Sequence, residues 1–320
     1  MNKEIIFMFS GQGSQYYQMG RELYENNTVF SYWMDHCNEI VAPLIQNSLV
    51  EILYGQEGKS QPFDRLLYTN PALLCVEYCQ FKVLKEMGIQ PDYLIGYSLG
   101  ELIATIASGA VSLEDGIRLV INLARLAEEK TQPASMLAIM ESESIINKFP
   151  ELFADCRCTG TNFQENFVVG GLPHAIQNLH LNLNKFNIIS QVLPVKQGFH
   201  TEFIDPIEAE VKQLVRSINL SEMKIPIISS AKSEVVKVLN EDYFWEVIRL
   251  PVNFEFTIKR ILEVGDYIFI DAGPSGTLST FVKYILSSNA CSVSLPMINQ
   301  FGSDLSAIEK LKTSFFSNVS

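Results

Sequence analysis

The stretch Tyr93-Leu94-Ile95-Gly96-Tyr97-Ser98-Leu99-Gly100-Glu101 joins a short apolar run to G-x-S-x-G and then to a helical stripe of Leu99, Leu102, Ile103, Ile106 and Ala107. Few folds accept that order. It describes a strand, a tight turn and a helix, with Ser98 at the turn and its hydroxyl held clear of the sheet. The helix behind offers free N–H groups and a positive dipole end to a developing oxyanion, which suits an acyl nucleophile. The pentapeptide alone also occurs at ordinary strand-to-helix turns, since glycine and serine collect there. Pro91-Asp92 ahead of the strand and the apolar stripe behind it put this copy where the chemistry needs it.

With 320 residues, 47% of them hydrophobic, the chain can bury a large core, as one α/β domain or as a main domain with an insertion. A net charge of -12 without a dense basic run argues against nucleic acid as a partner. No stretch approaches the roughly 20 apolar residues of a membrane span, and Ile5–Phe9 is too short for a signal-peptide core. The chain therefore reads as cytoplasmic, with no membrane partner. Its six cysteines are scattered, with no CxxC and no histidine at zinc spacing, so free thiols are expected and no metal or other cofactor.

Ile5–Phe9 reads as a first buried strand, followed by the glycine-rich turn Ser10–Gln15 and a helix from about Tyr16. Helical patterns fill much of the region to Lys85, and after the strand at Tyr93 they run to about Lys130, interrupted near Gly109–Ser112. From Met136 the pattern becomes strand 136–140, helix 141–154, strands 156–162 and 167–170, helix 175–186 and strand 188–195. That β-α-β-β-α-β order is ferredoxin-like. Buried strands at Ile225–Ser230 and Tyr267–Asp271 then resume the main sheet.

A serine nucleophile needs a base, and only four histidines exist. His36, His174 and His180 sit in polar or amphipathic helical surroundings. His200, in Gln197-Gly198-Phe199-His200-Thr201, follows the last strand of the inserted unit, where the chain returns to the main domain and closes a cleft. The oxyanion needs two donors: the Leu99 N–H comes with the turn, and Gln12 is the candidate on the glycine-rich loop. That loop could equally cradle phosphate, but it lacks a P-loop lysine and dinucleotide glycine spacing.

Phe9-Ser10-Gly11-Gln12-Gly13-Ser14-Gln15, Asn70-Pro71-Ala72-Leu73, Gly96–Glu101, Gly198-Phe199-His200 and Gly273-Pro274 resemble, in order and spacing, malonyl-CoA:acyl carrier protein transacylases and polyketide synthase acyltransferase domains. The resemblance spans nearly the whole chain. It implies an α/β fold: an α/β-hydrolase-like large subdomain (1–132 and 197–320) with an inserted ferredoxin-like small subdomain (133–196). It also implies a Ser98–His200 dyad working through an acyl-enzyme, an oxyanion hole from the Gln12 and Leu99 N–H groups, and a main-chain carbonyl near Val264-Gly265 accepting from the histidine's other nitrogen. Asp205 and Asp271 are then structural. Tyr97, Asn162 and Phe199 fall at cleft positions, although Asn162 reads equally well as a turn residue.

Two departures stand out. Leu123 occupies the place of the family arginine that grips the malonyl carboxylate, and Arg125 would lie on another helix face. An arginine fork makes charge-assisted bonds worth about 1.5–3 kcal/mol each, whereas a leucine leaves a buried carboxylate unpaired. Tyr97 stands where a histidine is usual. Such a chain resembles the stand-alone acyl hydrolases of trans-acyltransferase polyketide pathways, which clear acyl groups from carrier proteins. The implied partner is an acyl carrier protein, with acyl-CoA as a second substrate source, and the implied state a monomer. Docking to an acidic carrier needs a local basic patch that could include Lys196 or Arg249. The alternatives are acyl or malonyl transfer from CoA to a carrier protein, and a non-catalytic docking subunit.

Overall fold

The computed structural model describes residues 3–319; residues 1, 2 and 320, which the expected outer boundaries take in, lie outside the described residues. Along the described chain the strands are β1 (Glu4–Phe9), β2 (Tyr93–Gly96), β3 (Ser135–Ile139), β4 (Cys156–Phe163), β5 (Asn166–Gly171), β6 (Ser190–Val192), β7 (Ile227–Ser229), β8 (Glu234–Val235), β9 (Val252–Asn253), β10 (Tyr267–Asp271) and β11 (Val293–Pro296).

They form two sheets. The first runs β11-β10-β1-β2-β7-β8, parallel throughout except for the closing β7–β8 hairpin. Its central strands are apolar without alternation because both faces are covered. In β1, Phe7 and Phe9 join the core beneath the helices Thr28–Ile45, Leu66–Glu86 and Leu113–Lys130, while Ile6 and Met8 join the core beneath Phe254–Leu262 and Thr277–Ile285.

The second sheet runs β6-β3-β5-β4-β9. Its first four strands pair antiparallel in the ferredoxin-like order, and β9, from beyond the inserted stretch, adds a parallel edge at Gly160–Val252 and Thr161–Asn253. The period of two divides its faces. Leu137, Ile139, Phe167 and Val169 pack under the helix Pro173–Lys185, whereas Met136 and Val168 turn toward the large core. At the neck, Ala134 N donates to Lys196 O at 2.9 Å. The architecture is that of an α/β-hydrolase-like large subdomain carrying a ferredoxin-like small one.

Several elements differ from expectation. The helix expected from Tyr16 begins at Arg21, because Gln18 and Gly20 adopt left-handed φ of 72° and 73°. The helix expected over 141–154 is two short pieces, Ile145–Lys148 and a 3₁₀ turn at Pro150–Phe153, since Pro150 has no N–H to continue the first. The strand expected over 188–195 pairs only at Ser190–Val192, and the strands β8, β9 and β11 were not legible as runs.

The first loop and the helix Leu99–Ala107 meet backbone to backbone. A Cβ on Gly100 would stand 2.0 Å from Phe9 O, and one on Gly96 would stand 2.1 Å from Glu101 N. Neither neighbour is a side chain that can swing aside. Gly100→Ala should therefore cost at least about 1–3 kcal/mol, the range for overpacking, and lower the melting temperature measured by thermal unfolding.

Candidate active site

Ser98 sits at the end of β2 with φ 55° and ψ -117°, immediately before the helix Leu99–Ala107. Only a crowded surround holds a non-glycine residue in such a conformation. Tyr97 N donates to Phe9 O at 2.9 Å, Gly100 N to Tyr97 O at 2.9 Å and Glu101 N to Ser98 O at 2.8 Å. Glu101 anchors the helix from below: its carboxylate accepts from Ser230 N and Oγ and from Tyr243 Oη. Burial pushes this carboxyl up, and those donors pull it back.

His200 comes from the loop that returns from the second sheet, and its Nε2 lies 2.7 Å from Ser98 Oγ. Its Nδ1 lies 2.7 Å from Leu250 O, which can only accept. That carbonyl fixes the tautomer: Nδ1 carries the hydrogen, and Nε2 is free to accept from the serine hydroxyl. Leu250, not the Val264-Gly265 segment, is thus the histidine's partner. Val264 is exposed beyond the helix Phe254–Leu262, whereas the chain leaving Glu241–Arg249 passes directly beside His200, with His200 N donating to Ile248 O at 2.9 Å. Neither Asp205, paired with Arg249, nor Asp271, which accepts from Gly273 N and Ser279 N, bonds to the imidazole. Burial, aided by the Arg249 charge, lowers the His200 pKa to about 4, although the Leu250 bond opposes this.

The remaining histidines lie elsewhere: His36 faces Glu39 on the surface, His174 is exposed, and His180 bonds Ser190 and Asn184. Gln12 stands on the loop after β1, where a Cβ on Gly11 would fall 2.5 Å from Tyr97 O and 3.3 Å from Ser98 Cβ. Its side chain turns away, donating through Nε2 to Thr69 Oγ1 at 2.9 Å and Asn70 Oδ1 at 2.5 Å. Leu99 opens its helix, so its N–H is one of the donors the helix leaves free.

A cavity of about 60 Å³ opens on Ser98 and His200. Leu123, Met136, Val195, Phe199 and Ile248 form its apolar wall, and among the described residues no charged side chain lines it. Leu123 is therefore in the cavity wall. Arg125 is not: it caps the helix Thr28–Ile45 by donating to Leu44 O, in a separate surface hollow with Arg65. A second cavity of about 260 Å³ shares Gln12, Tyr97, Val168 and Leu193 with the first and extends past Asn162, Asn166 and Phe281. Asn162 is buried in β4, not in a turn, and joins a relay that sequence gave no sign of: Tyr97 Oη donates to Asn162 Oδ1 at 2.8 Å, and Asn162 Nδ2 to Asn166 Oδ1 at 2.6 Å. Gly160 makes room for it, since a Cβ there would meet Tyr97 Oη at 2.6 Å.

Residues 6–311 match the family model for the acyl transferase domain. The chain belongs to that family. It is 37% identical over 98% of its length to the polyketide biosynthesis acyltransferase homolog PksD of Bacillus subtilis, of which it covers 98%. It is 35% identical over 99% of its length to the homolog BaeD of Bacillus velezensis, again covering 98%. Among solved structures, the acyltransferase domain from the second module of the salinomycin polyketide synthase superposes with a TM-score of 0.87 at 25% identity, over 100% of this chain and 75% of that one. The structure of MCAT from Streptococcus pneumoniae gives 0.79 at 25% identity, over 97% and 100%.

This acyltransferase-family fold thus pairs a serine with a histidine held by a carbonyl. Nitrogen-detected NMR should find His200 with hydrogen on Nδ1 only, gaining a proton on Nε2 near pH 4 and not near the ordinary 6.5.

Proposed function

We propose that this protein is a serine acyl hydrolase of polyketide biosynthesis, which removes uncharged acyl groups from carrier-protein thioesters through an acyl-Ser98 intermediate. The observation that carries the reading is the cavity at Ser98, which Leu123 helps to wall and which, among the described residues, holds no charged side chain. An acyl chain gains from transfer into such a surface, while a malonyl carboxylate would be desolvated without a partner. The names of the relatives support the setting in polyketide biosynthesis.

The steps follow from the atoms present. Ser98 Oγ attacks the thioester carbonyl as His200 Nε2 takes the hydroxyl proton. The resulting oxyanion faces the Leu99 and Gln12 N–H groups. Collapse expels the thiol, which receives the proton from His200, and leaves the ester on Ser98. Water then attacks that ester with His200 again as base, and the second collapse returns Ser98 and releases the free acid. A carbonyl at Nδ1 orients the ring without adding a negative charge to the site. The base consequently stays neutral and ready at ordinary pH. The 260 Å³ cavity adjoining the first supplies room for the arm that bears the thioester.

That same arm space favours a second reading, transfer of the acyl group to a carrier thiol. The two differ only in what attacks the acyl-enzyme. The expected docking residues Lys196 and Arg249 are already paired with Asp64 and Asp205, so neither offers an unengaged charge to an acidic carrier.

Intact-mass measurement after mixing with acetyl- or butyryl-loaded carrier protein should show loss of the acyl group as free acid, and Ser98→Ala should abolish it. Label accumulating on a second, unloaded carrier protein would instead establish transfer. Malonyl thioester should be processed at least about tenfold more slowly than acetyl, the cost of one buried unpaired charge, as read from kcat/KM. Because the base works deprotonated, kcat/KM should fall only as pH drops through about 4 and stay flat from there toward neutrality; an acid limb near 6.5 would count against His200 as the buried base.

A further inference from the structure

Beneath the first loop lies a carboxyl that the acyl-transfer steps do not use. Glu77 is fully buried in the helix Leu66–Glu86, and its Oε1 accepts from Ser10 Oγ at 2.5 Å. Its other oxygen, Oε2, is buried with no hydrogen-bond partner among the described residues. Thr69 and Asn70, about two turns earlier on the same helix, hold the Gln12 side chain. One helix thus grips the loop on both sides of Gly11, the residue that lies against Tyr97 and Ser98. From the opposite side Gly273 closes on the same serine: a Cβ there would stand 2.6 Å from Ser10 Oγ.

We propose that Glu77 is a positioning residue that works as a neutral carboxylic acid, clamping Ser10 so that the Gln12 N–H stays aimed at the oxyanion on Ser98. The inference rests on the reading of Ser98 as nucleophile and of Gln12 as an oxyanion donor. Its physical basis is the orphan oxygen: an ionised Glu77 would place charge on a buried atom with no donor, whereas the neutral acid avoids that charge. Burial pushes this carboxyl well above the usual range, and the negative charge of Asp271, facing it from β10, pushes the same way; the hydroxyl and N–H of Ser10 pull against both.

The test is the rate at which a fluorophosphonate labels Ser98, because the phosphonyl oxygen must enter the same donor pair as the oxyanion. The variants are Glu77→Gln, Glu77→Leu and Ser10→Ala, each checked for native melting, with Ser98→Ala as the blank. Glu77→Gln, neutral and of the same shape, should label within about threefold of the parent. Glu77→Leu and Ser10→Ala should label at least about tenfold more slowly, on the scale of a displaced donor. If Glu77→Leu does not fold, Ser10→Ala still decides. Equal labelling of the parent, Ser10→Ala and any folded Glu77→Leu, or a Glu77→Gln that labels as slowly as Ser10→Ala, would overturn the inference. Absence of labelling on Ser98 in the parent would instead overturn the nucleophile reading on which it rests.

Discussion

The site depends on a backbone-to-backbone contact between the loop after β1 and the turn after β2. Gly100 lies where any side chain would strike Phe9 O, and Gly11 lies where one would strike Tyr97 O. Three hydrogen bonds around the turn then leave Ser98 no softer conformation than φ 55°. Strain of this kind, of order 1–3 kcal/mol, persists because the neighbours over-determine it. The same closeness brings the loop carrying Gln12 beside the serine. Candidate nucleophile and candidate oxyanion donor are thus two consequences of one contact.

The histidine arrives by a different route. It is carried on the chain returning from the second sheet, yet it is fastened to the large subdomain through Ile248 O and Leu250 O. Immediately after Leu250 the chain enters β9 and pairs with β4. The segment that orients the imidazole is therefore also the one that stitches the two sheets together. A shift of one sheet against the other would move the Leu250 carbonyl and the serine–histidine distance together, so the joint between subdomains has to be firm. The Tyr97–Asn162–Asn166 relay spans the same joint on the cleft side.

Around this apolar cleft the protein buries carboxyls, not cations. Glu101, Glu77 and Asp271 each lie under a backbone element that the site uses, and each takes bonds from serine hydroxyls or main-chain N–H groups. Asp271 is pushed up to about 6 by burial in spite of its donors. The arginines near the cleft wall in sequence are engaged elsewhere, Arg249 with Asp205, Arg118 with Glu114 and Arg125 with Leu44 O. What lines the cavity at Ser98 is hence set by Leu123 and the inner face of the second sheet, through Met136 and Val168.

By itself the sequence determined the parts whose signal is local. Continuous apolar runs marked β1, β2 and β10, the glycines marked the turn at Ser98, and the β-α-β-β-α-β order marked the second sheet, because strand burial, turn sterics and supersecondary order are written in neighbouring residues. The place of His200 after the inserted unit set it apart from the other histidines, and only the family resemblance drew attention to Leu123. Tertiary structure alone decided which carbonyl holds the imidazole, what grips the loop at Ser10 and Gln12, and how Tyr97 reaches Asn162. A carbonyl partner leaves no side-chain signature, since every residue has one, and contacts such as Glu77 to Ser10 join positions far apart in the chain. Two-residue strands such as β9 are too short to show a period, so only their partner across the joint makes them strands.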